Sequence, residues 1–188
     1  MKEIKKFLPF IALFMAAAAF VLSFFATLQI VQYGVHAEFK NIIWGCKQVT
    51  IEGTVRTIKE TFGFESSGIA PLPFIGLVMM LVGAIASVIL TLFVKNKFTK
   101  WIVLGCSALI LAGGIMVFFA PSAFARNMTI KSCELHGITD KSEIQREIKK
   151  AIDDMHQQSP KAPMPIVMGV IGCLSAIAAG AGALLPEE

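Results

Sequence analysis

Four long runs without a charged residue, Phe7–Val31, Phe74–Val94, Trp101–Phe119 and Ile166–Leu185, constrain this chain more than any other feature. Each approaches or exceeds the roughly 20 apolar residues that carry a helix across a hydrocarbon core of about 30 Å. Hydrophobic residues make up 55% of the chain and charged residues only 16%, well below the roughly 25% usual in soluble domains. The expected fold class is therefore an all-α integral membrane protein: a four-transmembrane-helix bundle with a small external α/β cap. A chain of 188 residues has room for one such bundle, so residues 1–188 are expected to form a single membrane domain.

Basic residues near span ends set the orientation, because Lys and Arg are retained on the cytoplasmic side. Lys2, Lys5 and Lys6 precede the first run, and Lys95, Lys97 and Lys100 fill the tight connection 95–100 between the second and third. Both are expected inside the cell. Four crossings return the carboxyl end to the same side, giving a multi-pass cell-membrane protein with both termini cytoplasmic. Segments 32–73 and 120–165 then become external loops. The first run also resembles a secretory signal, but it is longer than the usual apolar core of about 7–15 residues and lacks a small-x-small site at its end. It is expected to remain as an uncleaved helix.

The spans contain no Asp, Glu, Lys, Arg or His. Such residues mark ion and proton pathways because burying them in hydrocarbon is costly, and no span carries the central interruption that transporters use for binding. A self-contained ion-coupled transporter is therefore disfavoured. Small residues do recur at helical spacing: Ala19, Ser23 and Thr27; Gly83 and Ser87; Gly105, Ala108 and Ala112; and Gly172, Ala176 and Gly180, the clearest stripe. Small residues let helix backbones approach closely where lipid supplies no hydrophobic driving force. The last stripe reads as a helix-packing face or as a partner face. Tyr33, Phe98 and Trp101 fit the interfacial aromatic belt, and Pro71, Pro73, Pro160, Pro163 and Pro165 mark the entries to the second and fourth spans.

The first external loop alternates β-branched and polar residues from Lys47 to Ile58 around Glu52-Gly53, which predicts a short hairpin turning at that pair. In the second, Asp140-Lys141-Ser142-Glu143 reads as a helix start. Ile144, Ile148, Ala151, Ile152 and Met155 recur on one face, predicting an amphipathic helix over 141–158 that lies on or beside the hairpin, with a position flat on the outer leaflet as the alternative. The interleaved charges of that helix read as a solvated face.

Cys106 and Cys173 fall inside spans, whereas Cys46 and Cys133 fall one in each external loop. They form a disulfide candidate, since the loops face an oxidising compartment in this topology. Cys133-Glu134-Leu135-His136 has a metal-like local spacing but no second pair to complete a site. Asn127-Met128-Thr129 is a glycosylation sequon. No phosphate loop, nucleophile elbow, zinc-protease motif or thiol-redox C-x-x-C pair occurs. No catalytic residue, cofactor site or metal site is expected, and the protein reads as a non-enzyme. A net charge of +4 fits headgroup contact, and nucleic acid is not an expected partner.

The structured first loop with Trp44-Gly45-Cys46, the short basic inner connection and the small-residue stripe of the fourth span together resemble the claudin-type tetraspan plan. Claudin-like proteins carry two cysteines in that loop, where this chain has one. The Lys-rich start, Thr61-Phe62-Gly63-Phe64 and the Lys-rich inner turn are similar to small four-span bacterial proteins of unknown function. The resemblance implies a four-span architecture and transfers no functional residue. Two functional readings follow. The first is a membrane scaffold or accessory subunit that contacts lipid and a membrane-protein partner, or its own copies, through its external loops and fourth helix. The second is an oligomeric pore lined by Ser23, Thr27, Gln29 and Gln32.

Overall fold

A computed structural model describes residues 2–32, 35–53, 59–63, 67–94, 98–157 and 161–184. In chain order the elements are α1 (Lys2–Leu22), β1 (Thr27–Gln32), β2 (Val35–Lys40), β3 (Gln48–Gly53), β4 (Lys59–Gly63), α2 (Pro71–Phe93), α3 (Thr99–Phe118), α4 (Ala120–Leu135), α5 (Lys141–Gln157) and α6 (Pro163–Leu184). By compactness the chain divides into two units. One comprises residues 1–22, 72–118 and 166–188, and the other residues 23–71 and 119–165.

The first unit holds α1, α2, α3 and α6, and among the described residues four helical stretches are long and apolar enough to cross a membrane: Phe7–Phe25, Pro71–Phe93, Thr99–Phe118 and Pro163–Leu184. Pro71 and Pro163 each open their helix, where the missing amide donor costs nothing. Close backbone approach organises the interior. A side chain at Gly76 would place its Cβ 2.6 Å from the Gly113 carbonyl, and one at Gly113 would run into the Gly76 carbonyl. The next residue, Gly114, lies against Gly169, Gly172 and Cys173 of α6. Consecutive helix positions point about 100° apart, so this glycine pair admits α2 on one side of α3 and α6 on another.

Hydroxyls fasten the remaining seams. Ser175 Oγ donates to the Ala12 carbonyl of α1 at 2.8 Å, and Ser107 Oγ of α3 donates to the Ala176 carbonyl at 2.7 Å. Ala12, Ala16 and Ala19 form a fully buried stripe on α1. The opposite surfaces are apolar and open, with Phe14 76%, Ile177 64% and Val82 53% exposed. A soluble domain does not display so much apolar surface, whereas lipid solvates it.

The second unit is a four-stranded antiparallel meander, β1-β2-β3-β4, with the helical hairpin α4–α5. Leu28, Phe39 and Val49 stand opposite one another, as do Ile30, Ala37 and Ile51. Alternation places both rows on one face. That face meets α4 through Phe39 and Phe124, whose ring centroids lie 5.3 Å apart. The loop between β2 and β3 is buried rather than slack: Ile42, Ile43 and Cys46 are inaccessible to solvent. Its backbone is tied on both sides, by Ile42 N–H to the Ala26 carbonyl, Ala70 N–H to the Ile43 carbonyl and Ser67 N–H to the Cys46 carbonyl. Asn41 turns the chain in the left-handed region at φ 58°, which Asn tolerates better than other non-glycine residues.

Several expectations need correction. The first apolar run does not remain helical to Val31, because a 3₁₀ turn at Ser23–Phe25 ends it and Thr27–Gln32 form β1. Charge-free sequence hides that break, although Thr27-Leu28-Gln29-Ile30 already alternates polar with apolar. Glu52-Gly53 is not a turn; both residues are paired in β3, opposite His36 and Val35. Residues 54–58, part of the expected hairpin, lie outside those described, and the chain resumes as β4. The amphipathic helix is present as Lys141–Gln157, but α4 was not foreseen and it supplies the contact to the sheet. The connection 95–100, expected as a cytoplasmic turn, is described only from Phe98, with Thr99 and Lys100 already in α3.

Candidate functional site

The second face of the sheet is built differently from the first. Register places Gln29, Glu38, Thr50 and Thr61 in one row across all four strands, and Val31, His36 and Glu52 in the next. Gln29, His36, Glu52 and Thr61 are exposed, and Thr50 Oγ1 lies 3.4 Å from Thr61 Oγ1. Cross-strand neighbours of this kind interact laterally and hold one another's rotamers. The result is a largely polar surface of amide, hydroxyl, imidazole and carboxylate groups, with Glu38 half-buried and Thr50 buried in its middle row. At the β1 edge, Gln29 and Lys161 exchange both backbone hydrogen bonds, at 2.8 and 2.9 Å. This pairing covers part of an edge that would otherwise be open to strand addition.

Beside the sheet, α4 and α5 form a shallow groove of about 360 Å³ lined by Arg126, Gln145, Ile148, Lys149, Ile152 and Asp153. Both helices are firmly ended. Cys133 C=O accepts from Ile138 N–H and Glu134 C=O from Gly137 N–H, with Gly137 at φ 70°, the paired bonds of a Schellman cap. The α5 start is capped by Asp140, whose carboxylate accepts from the Ser142 amide and hydroxyl, both at 2.9 Å. Those two bonds, the amide first, hold the Asp140 carboxyl below its ordinary range.

The stripe Gly172, Ala176 and Gly180 is turned into the bundle. A Cβ at Gly172 would lie 2.8 Å from both Gly114 Cα and Met80 Cε, Ala176 is 3% exposed, and Gly180 faces Ser107. The contacts are those of helix packing inside one copy, and no outward docking face is formed by these residues.

The bridge expected between Cys46 and Cys133 is absent: all four cysteines are free thiols. Cys46 Sγ donates to the Gln48 carbonyl at 3.1 Å and its amide donates to Ser67 Oγ, while burial pushes its thiol pKa up. Cys133 is buried on α4. Both serve as small apolar residues. His136 is exposed at the end of α4 with Nδ1 2.7 Å from the Ser132 carbonyl. Among the described residues no three His, Cys, Asp or Glu side chains converge as metal ligands.

The Asn127 sequon lies within α4, where Asn127 Nδ2 donates to the Ile69 carbonyl and Thr129 Oγ1 to the Ala125 carbonyl. The four residues expected to line a pore do not gather on a span. Ser23 is buried and accepts a 2.8 Å hydrogen bond from Trp44 Nε1, while Thr27, Gln29 and Gln32 belong to β1. Sequence reading missed the polar sheet face because all of its first strand but Gln32 was absorbed into an apolar run. Registering Thr27–Gln32 against Val35–Lys40 as alternating segments is the signal that finds it. Comparison with known protein families, curated proteins and solved structures found no match to this chain.

Proposed function

We propose that the protein is a non-enzymatic membrane scaffold or accessory subunit that recognises another membrane or envelope protein through its mixed α/β unit. The observation carrying this reading is the two-faced sheet. One face packs on α4 through Phe39 and Phe124, and the other presents Gln29, His36 and Glu52 as exposed side chains with Glu38 half-buried beside them. A strand face of amide, imidazole and carboxylate groups suits recognition of another protein rather than turnover of a small substrate. The claudin-like tetraspan plan belongs to the same proposal, and the order helix, antiparallel sheet, two apolar helices, helical hairpin, apolar helix supports it. So does the assignment of both termini to the cytoplasm, which rests on the basic residues at 2–6 and 95–100.

The test is purification from the native membrane in mild detergent, with the intact mass and every stoichiometric component determined. The same purification is repeated for the double variant Glu38→Lys, Glu52→Lys. A distinct partner at fixed ratio, lost from the variant while the fold is retained, supports the proposal. A monomer, or a complex indifferent to the variant, counts against it. Thiol or protease accessibility from either side of sealed vesicles tests the orientation separately.

A further inference from the structure

The end of the mixed unit from which the chain enters and leaves the apolar helices carries four exposed apolar side chains: Phe24 at 47%, Phe25 at 62%, Ile69 at 50% and Phe119 at 51%. In a soluble domain four large side chains so exposed would be a liability. Their chain positions give them a purpose. Phe24 and Phe25 close the first candidate span, Ile69 precedes the second by two residues, and Phe119 follows the third directly. Two extended residues reach at most about 7 Å, close to the roughly 5–7 Å depth of each headgroup layer. Connectivity alone thus confines all four to headgroup depth when the helices are inserted.

Trp44 joins them from a distant part of the sequence. Its indole stacks on Phe24 with centroids 4.7 Å apart and planes 5° from parallel, and its N–H donates to Ser23 Oγ at 2.8 Å. An indole at the interface ordinarily gives that hydrogen to water or a headgroup. Here the protein accepts it, so the ring need not reach toward water. The loop Asn41–Cys46 is held in place by its bonds to the Ala26 and Ala70 strands of chain, which flank the same span ends.

We infer that Phe24, Phe25, Ile69 and Phe119, with Trp44 stacked on Phe24, form an interfacial rim by which the mixed unit rests on phospholipid headgroups of one leaflet. The β2–β3 loop is therefore a membrane-surface element and not part of the partner-binding face. The inference rests on the reading of the four apolar helices as membrane spans. It is independent of any partner.

Trp44 and Trp101 are the two tryptophans of the chain, so Trp101→Phe leaves Trp44 as the sole reporter. The protein is reconstituted in phosphatidylcholine vesicles containing lipid spin-labelled either at the headgroup or near the chain centre, with iodide as the aqueous quencher. A second reporter, Phe14→Trp in the Trp44→Phe, Trp101→Phe background, reads the middle of the first helix. The expected result is headgroup-label quenching of Trp44 about twofold above chain-centre quenching, weak iodide quenching, and the reverse lipid preference for the Phe14→Trp reporter. If that second reporter responds to the chain-centre label while Trp44 responds to iodide alone, or to no quencher, the rim is overturned and the spans stand. If neither reporter responds to labelled lipid, the membrane reading fails and the rim with it.

Discussion

The two units of this chain solve burial by different means. In the helical unit Gly76, Gly113, Gly114, Gly172 and the α1 alanines bring backbones close around buried Leu77, Met80, Ile110 and Met168, while many Phe, Ile and Val side chains face outward. In the mixed unit Leu28, Ile42, Ile43 and Phe124 are enclosed while Gln, Glu and Lys face outward. The difference follows from the solvent each implies. Where the surroundings are hydrocarbon, sequestering a large apolar side chain gains little, so contact comes from backbones brought close by small residues. Where the surroundings are water, enclosing large apolar side chains is the main driving force and every buried polar group needs a partner. The hydrogen bonds differ accordingly: Ser175 and Ser107 reach carbonyls across helices, whereas the loop from Asn41 to Cys46 is tied down by its own backbone.

The sharpest way to break the contrast is to enlarge a contact glycine. Gly113→Leu drives a side chain into the Gly76 carbonyl and Met80 and is expected to destabilise the helical unit by 3 kcal/mol or more, at or beyond the roughly 1–3 kcal/mol of ordinary overpacking. Gly105→Ala, at a position with nothing within 4 Å, should leave the midpoint of thermal unfolding in detergent unchanged. Equal losses from the two variants would refute backbone approach as the organising contact.

In the mixed unit the large effect comes from removing volume instead. Ile43→Ala is expected to cost about 2–5 kcal/mol, read as faster amide exchange through β2 and β3 with α2 and α3 unaffected. Exchange rising equally in both units would show that they do not fold as separate entities. Phe124→Ala should follow closely, at about 3–5 kcal/mol, because its ring closes the apolar face of the sheet against Phe39.

Ser175→Ala removes one interhelical hydrogen bond, and comparable bonds in membrane helices are worth about 0.6 kcal/mol. A loss several times larger, measured by reversible unfolding in detergent, would mean that the α1–α6 seam depends on polar rather than packing contacts.

The smallest effect belongs to the cap of α5. Folding lowers the Asp140 pKa, so its stabilisation is present above the unfolded carboxylate value of about 3.9 and disappears as pH falls through the folded value. The protection of the Ser142 amide, the unprotected rate at the same pH divided by its own exchange rate, should fall over that acidic window in the native chain. In Asp140→Ala that protection should already be low at neutral pH, with the helical unit indifferent to both changes.

Much of this was legible in the residues. The four apolar helices, the prolines that open two of them and the α5 face of Ile144, Ile148, Ile152 and Met155 follow from hydropathy and period. The boundary of the first helix did not, because Thr27–Gln32 carries no charge to distinguish a strand from a span. Helix α4 escaped notice because Phe124 and Cys133 give its polar sequence too weak a period, although Pro121 near its start and Gly137 past its end mark both limits. The polar surface of the sheet was invisible for a related reason: it exists only when four segments are in register.

By itself, the sequence determined that four stretches are too apolar for water, that the charged residues gather between them, and that no catalytic constellation is written locally. Those properties belong to composition and short-range spacing, which do not depend on what a residue meets. Tertiary structure alone decided that Gly172, Ala176 and Gly180 turn inward, that Cys46 and Cys133 remain thiols and that Trp44 lies on Phe24. Each of those outcomes depends on which distant segment arrives at the same place, and the same small, sulfur or aromatic side chain serves equally well as packing, cross-link or docking surface until its neighbour is known.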